Sequence, residues 1–505
     1  MNPVLRGLAA NPSLPSEVVD RLIAVADADL AETLARRADL SRDQAVALVS
    51  RVGDSAVSLA YEGRLTAADI DPAVHPSAAL ALLDGRVGRP EWARLLASDP
   101  DGGRREKLAA CPGLPPDVVE RLAADPDVRV VAELAEWTTP EVAARLAGHP
   151  HAEVRRAVAA NEATPAETLA ALITGDGLPP VLHCLVCDRE EIPFTHDRQC
   201  PRPDCDLLPD ASCDGSHESV THQLWQAALR NPATPTEAAV ASAEHSSTQL
   251  RRSLAARPDL TPTVCRRLAA DPVPGVRADL AANPALDDDL IRVLAHDGSS
   301  DVRRSLAHNP RVPLDVLTEL AGTTKIGETL LPRIAGASAT ETAELARSPH
   351  PVVRMLVARR RDLPAGIRDA LAADPDAKVL KSIAPHPGLS AAQLRSMVDR
   401  HGIRVLAKVA ANPEAPPELL DELARHEPPV HKALREIAQH RSATAPALLA
   451  CLENGRARPV AAGHPALPPP VVVGLLTDSD PEVAEAAAAN PSLPPRMMLE
   501  LMSRG

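Results

Sequence analysis

The sequence predicts an all-α solenoid, and three observations lead there. The chain repeats itself about every 26 residues: Arg251–Pro272 reads RRSLAARPDLTPTVCRRLAADP, Val276–Asp297 reads VRADLAANPALDDDLIRVLAHD, and Val302–Gly322 reads VRRSLAHNPRVPLDVLTELAG. A period of that length marks stacked repeats, in which each unit buries its apolar face only against its neighbours. The 51 prolines recur at regular spacing beside Asn, Asp, Thr or Leu, where they read as helix starts and not as a floppy tract. The apolar share is 45%, yet the aromatics are Tyr61, Trp92, Trp137, Phe194 and Trp225 alone, so the core must be Leu, Val and Ala.

Each unit reads as two short helices. The first opens with Asp-Pro or an equivalent, as at Asp271-Pro272 and Asp374-Pro375, and runs through Val-Arg-x-x-Leu-Ala. Asp is expected to accept from the free amides of the helix start, with Pro at the first helical position. This piece is short enough to be partly 3-10. It ends at Asn-Pro or a variant: Asn11, Asn231, Asn283, Asn309, Asn412 and Asn490 each precede a proline. The second helix follows a second cap, Thr164-Pro165 or Thr261-Pro262, or a Leu-Pro such as Leu114-Pro115. Its apolar residues recur at helical spacing, as in Val118, Val119, Leu122 and Ala123, and that stripe must face a neighbouring unit.

The recurring pattern V-R-x-x-L-A-x-N-P-x-L-P-x-x-x-L-x-x-L-A-x-D-P resembles the leucine-rich repeat variant family. It covers 100–172 and 220–322 most fully, extends over 340–503 and 1–26, and fades over 27–95, where degenerate helical repeats are expected. The resemblance implies a right-handed superhelix of alternating α and 3-10 helices, akin to HEAT and armadillo arrays, and says nothing of an activity.

Between repeats, 175–222 changes character. Alanine nearly vanishes, and five of the eight cysteines fall here. The expected organisation is therefore repeats over 1–174, a Cys/His-rich insertion over 175–222, and repeats over 223–505. An insertion of this composition cannot build an apolar core, but a metal can replace one. Cys184 and Cys187 form a C-x-x-C; twelve residues intervene before Cys200, and four more before Cys205. Four thiolates in two close pairs suggest a closed, structural zinc site, with His183, His196 or His217 able to replace one of them.

A second reading stays open. Cys213-Asp214-Gly215-Ser216-His217 resembles the CDGSH signature of a [2Fe–2S] family with three Cys ligands and one His. The resemblance implies Cys213 and His217 as ligands. That family also has an upstream C-x-C and a proline two positions before the signature cysteine. Here four residues separate Cys200 from Cys205, and Pro209 lies four positions before Cys213. The remaining cysteines, Cys111, Cys265 and Cys451, lie alone inside repeats and read as small core residues.

An arginine recurs seven positions before the Asn-Pro proline or its equivalent: Arg105, Arg155, Arg251, Arg277, Arg303, Arg354 and Arg458. Equivalent positions in stacked units fall in line. The row is either a groove for acidic peptide or phosphate, or a structural ladder bonding carbonyls or Asp of the next unit.

The net charge of −14 argues against nucleic acid as the partner. The start MNPVLRGLAANP lacks the layout of a signal peptide, and no apolar run approaches a membrane span, so a cytoplasmic protein is expected. No phosphate loop, dinucleotide fingerprint or G-x-S-x-G elbow occurs. The expectation is a non-catalytic scaffold for a protein partner, with a structural zinc module. The alternatives are an iron–sulfur redox protein, or a nucleic-acid-associated protein using the arginine face.

Overall fold

The computed structural model describes residues 2–185, 187–188, 217–327 and 329–504. Among them are 35 α-helices and one 3-10 helix. They contain no strand, only an isolated bridge between His151 and His183. The chain is an α-solenoid whose residues divide into two compact units: 71–333, and a second made of 1–70 with 334–505.

In unit 71–333, helices Pro262–Ala269, Pro274–Ala281, Asp288–Ala295, Ser300–Ala307 and Leu314–Thr323 show the repeat plainly. Their buried faces follow the helical spacing: Val264, Cys265 and Leu268; Val276, Leu280 and Ala281; Ile291 and Leu294; Val302, Leu306 and Ala307. Burying each Leu or Val side chain is worth roughly 1.5–3 kcal/mol. Helices this short are marginal alone, so packing between neighbouring units holds them.

Caps set the boundaries. Thr261 accepts from Val264 N, Asp287 from Leu290 N and Ser299 from Asp301 N, while Pro262 and Pro274 open their helices. Two expected caps work differently. Asp271 lies before the helix Pro274–Ala281, whose N-cap is Val273, and its carboxylate accepts from Val273 N in a turn. Thr164 is not the cap of Ala166–Thr174; Pro165 holds that place, and the Thr164 hydroxyl donates to Val158 O, 2.6 Å away. The first pieces, expected to be partly 3-10, are α-helices. The described 3-10 helix, Val240–Glu244, instead continues a second helix of a unit, Thr236–Ala239.

A buried side-chain ladder ties unit to unit. Asn309 Nδ2 donates to Ala281 O and Asn283 O, 28 and 26 residues back. Asn283 does the same to Ala255 O and Arg257 O, and Asn412 to Ala384 O and His386 O. Each Asn thus satisfies carbonyls at the end of the preceding unit's helix, which have no partner within their own helix. Its own Oδ1 accepts from the amide two residues on, as at Asn283 and Ala285 N. Where Asn is missing, another donor stands in. Arg37 reaches Ala9 O and Asn11 O, Arg257 reaches Leu229 O and Asn231 O, and His440 Nε2 reaches Asn412 O. The ladder therefore continues into the degenerate stretch.

It also passes the inserted segment. Asn231 bonds Ala159 O and Asn161 O at separations of 72 and 70 in place of 28 and 26, an excess of 44 residues. The extra chain leaves between the helices Ala166–Thr174 and Glu218–Arg230, in the loop that joins one unit to the next. In the other unit, the helix Pro3–Ala10 packs against Pro481–Ala488 and Ser16–Val25 against Pro495–Arg504. There Asn11 Nδ2 donates to Ala488 O and Asn490 O at 2.9 and 2.7 Å. Residues 334–505 and 1–70 thus form one stack, in which the first repeat follows the last.

Candidate metal centre

Three potential ligands converge in unit 71–333. Cys184 is buried, Cys187 half-buried and His217 buried, and their ligand atoms all lie within 4.8 Å of one another. Local backbone structure positions the cysteines. Leu182 N donates to Pro150 O and Ala152 N to His183 O, which holds the strand-like 181–184 against the start of helix Ala152–Ala160. Cys184 then packs with Ala152 and Val220. The two thiols sit in a tight knuckle: Cys184 N approaches Cys187 Sγ at 3.2 Å, Cys187 N approaches Cys184 Sγ at 3.4 Å, and Asp188 N bonds Cys184 O.

His217 arrives from the other side. It directly precedes helix Glu218–Arg230 with φ of 55°, a left-handed backbone uncommon for a residue with a side chain. Its Nδ1 lies 3.8 Å from Cys187 Sγ. The three ligand atoms are close enough together to bind one metal ion. Around them stands Asp188, whose carboxylate is 3.4 Å from His151 Nε2, 3.3 Å from His183 Nδ1 and 3.6 Å from Cys187 Sγ. Carboxylates and imidazoles beside metal ligands orient them and tune the site.

The sequence assigned Cys184 and Cys187 to one knuckle and named His217 as an alternative ligand; the structure brings these three together. Cys200, Cys205, Cys213 and His196 lie outside the described residues. Asp188 and His151 were not anticipated. His151 lies in an earlier repeat, and a ligand's neighbours leave no spacing signature. Elsewhere the thiols are of a different kind. Burial pushes Cys111 and Cys451 up to about 12 and raises Cys265, so these remain protonated core side chains.

The row of arginines is engaged within the chain. Arg105, Arg251, Arg277 and Arg354 each bond an Asp 20 residues ahead: Asp125, Asp271, Asp297 and Asp374, at 2.6–2.7 Å. Each also donates to a carbonyl six residues back: Asp99, His245, Asp271 and Ser348. Arg458 pairs with Asp478. Arg303 reaches Asp297 O and Thr324 Oγ1. Arg155 donates to His149 O and, where the next unit's Asp would stand, to Pro179 O at the root of the insertion. The guanidinium forks that would grip a partner's carboxylate or phosphate are occupied by neighbouring repeats.

These pairs shift the carboxylates. The bond from Arg277 holds Asp297 below the usual range; at Asp125 burial is the largest influence and raises it, but the bonds from Arg105 and the Asp127 amide, with the arginine charges nearby, together outweigh it. Burial, with the charges of His151 and Arg155 nearby, lowers His149.

No known family profile matches the chain, and no curated protein matches it. Solved structures do. One describes how Kap95p binding induces the switch loops of RanGDP to adopt the GTP-bound conformation. It is 10% identical, covers 94% of this chain and 71% of that chain, and has a TM-score of 0.23. Importin beta is 12% identical, with coverages of 98% and 70% and a TM-score of 0.24. The Pds5–Scc1 complex is 13% identical, with coverages of 88% and 68% and a TM-score of 0.20. Scores of this size reach no further than the likeness of long helical arrays. Among the described residues, no helix is long and apolar enough to cross a membrane.

Proposed function

We propose that this chain is a non-catalytic scaffold of the leucine-rich repeat variant kind. It binds a protein partner along its repeat surface, in the cytoplasm, and a zinc ion staples its inserted segment. The observation that carries the scaffold reading is where the recurring polar residues go. In unit after unit, Asn, Arg and Asp at repeat positions bond the neighbouring unit, which serves assembly of the array. What varies between units is the exposed surface, and a variable surface on a constant frame suits recognition of one extended partner. The arginine row, engaged as it is, is not the recognition surface in this reading.

Cys184, Cys187 and His217 would hold the zinc, with the fourth ligand drawn from the insertion. Soft thiolates with imidazole suit zinc, and a site filled by four protein ligands serves structure. The ion would join the start of helix Ala152–Ala160, through the His151–His183 bridge, to the start of Glu218–Arg230.

Metal content and an absorption spectrum on anaerobically purified protein test the metal assignment. About one zinc per chain and no visible bands are expected for a single such site. Iron with acid-labile sulfide and visible bands would replace it with the cluster reading. For the scaffold, affinity capture should retain a stoichiometric protein after nuclease treatment and at raised salt. Capture that disappears with nuclease, or falls steeply with salt, would transfer the function to nucleic acid.

A further inference from the structure

Solenoids ordinarily end in capping repeats with a polar outer face. In the unit formed by 1–70 and 334–505, the first and last repeats instead cover each other. Leu8 and Ala9 of Pro3–Ala10, and Val483, Ala484, Ala487 and Ala488 of Pro481–Ala488, are buried in helices packed together. Arg6 Nε bonds Glu485 Oε1 at 2.6 Å. Gly7 lies against the carbonyl of Glu485, where a Cβ would collide. Asn11 completes the ladder, donating to Ala488 O and Asn490 O as Asn309 does to Ala281 O and Asn283 O. The contact is an ordinary repeat junction in register, with no short connection across it.

We infer that this seam is a reversible joint through which a second copy of the chain engages head to tail. Most repeat junctions are tethered by a loop of a few residues and the one at the insertion by a longer segment, whereas this seam joins residues nearly the whole chain apart. When the seam parts, it exposes two apolar, mutually complementary faces with unpaired ladder groups. Another opened copy presents the same pair of faces. Reciprocal exchange rebuilds two seams with the contacts of the closed monomer, the relation that makes exchange of identical elements a low-cost route to dimers. Concentration then decides between closure and pairing.

Charge reversal tests this directly. R6E alone sets Glu against Glu485, and E485R alone sets Arg against Arg6, so each weakens its own seam. In a reciprocal pair of one R6E chain with one E485R chain, both junctions regain opposite charges. The expected result is a heterodimer fraction in the equimolar mixture, read by light scattering and by energy transfer between labelled chains, several-fold above that of either variant alone. The doubly reversed R6E/E485R chain should return to the wild-type distribution. G7V carried by both partners, with circular dichroism verifying the helices, should abolish the heterodimer. A mixture no more dimeric than its components, or a heterodimer indifferent to G7V, would overturn the inference.

Discussion

Asn309 shows how much one side chain holds in this protein. It is fully buried, and its amide satisfies two carbonyls of the preceding unit while its oxygen accepts from Arg311 N. Asn309→Ala should cost about 1–3 kcal/mol, the price of stranding buried polar groups, read from the midpoint of urea unfolding. His464 occupies the same kind of position. Its Nε2 donates to His440 O while Nδ1 accepts from Ala466 N, so both ring nitrogens are engaged as the neutral tautomer. Burial lowers its pKa, and His149 is lowered likewise. A group with a depressed folded pKa stabilises above its unfolded value and loses that contribution as pH falls through the folded one. The melting temperature should therefore decline as pH drops below about 6.5, the unfolded His value, and again below about 4 as Asp297 and Asp125 protonate. His464→Asn should remove part of the first decline. A flat profile between pH 7 and 5 would contradict the assignment.

At the scale of the helix pair, the ion pairs act as couplings between units. Arg277 and Asp297 are largely buried, and Arg277 also holds Asp271 O. A double-mutant cycle with Arg277→Ala and Asp297→Ala should give an interaction energy of about 1–3 kcal/mol, well above that of an exposed pair. The metal site couples elements more locally. Cys184→Ser with Cys187→Ser should raise amide exchange over 181–188 and at the start of Glu218–Arg230, with little change in far-UV helical signal. A global loss of helix would mean that the insertion supports the array. Much at this scale was legible in the sequence: Thr261-Pro262 marked a helix start, and the stripe of Val118, Val119, Leu122 and Ala123 marked a face on which Val118 and Leu122 are buried. What misled was chemistry with two outlets. Asp271 and Thr164 are both good caps by type, yet each bonds elsewhere because the chain turns before the helix begins. Asn283 could be read as punctuation but not as a rung, because its acceptors lie in another repeat.

At the scale of the molecule, the sequence announced the period; the interruption was expected over 175–222, and the array resumes with helix Glu218–Arg230, inside those bounds. The sequence could not announce the seam, because nothing local to Asn11 points to Ala488. The site was half legible for a similar reason: C-x-x-C is a short motif, whereas its meeting with His217 depends on a loop that returns to its starting point. That return yields a further expectation. Deleting 178–221 restores the standard ladder spacing, so the shortened chain should fold with its repeats intact, lose its metal, and melt within a few degrees of the parent. Collapse of the helical signal would refute it. The loop between units thus separates two kinds of inheritance. Chain length within a repeat is fixed by the rungs it must reach, whereas a gene can acquire a whole foreign module at such a loop, mutate it freely, and leave every other repeat unaware of the change.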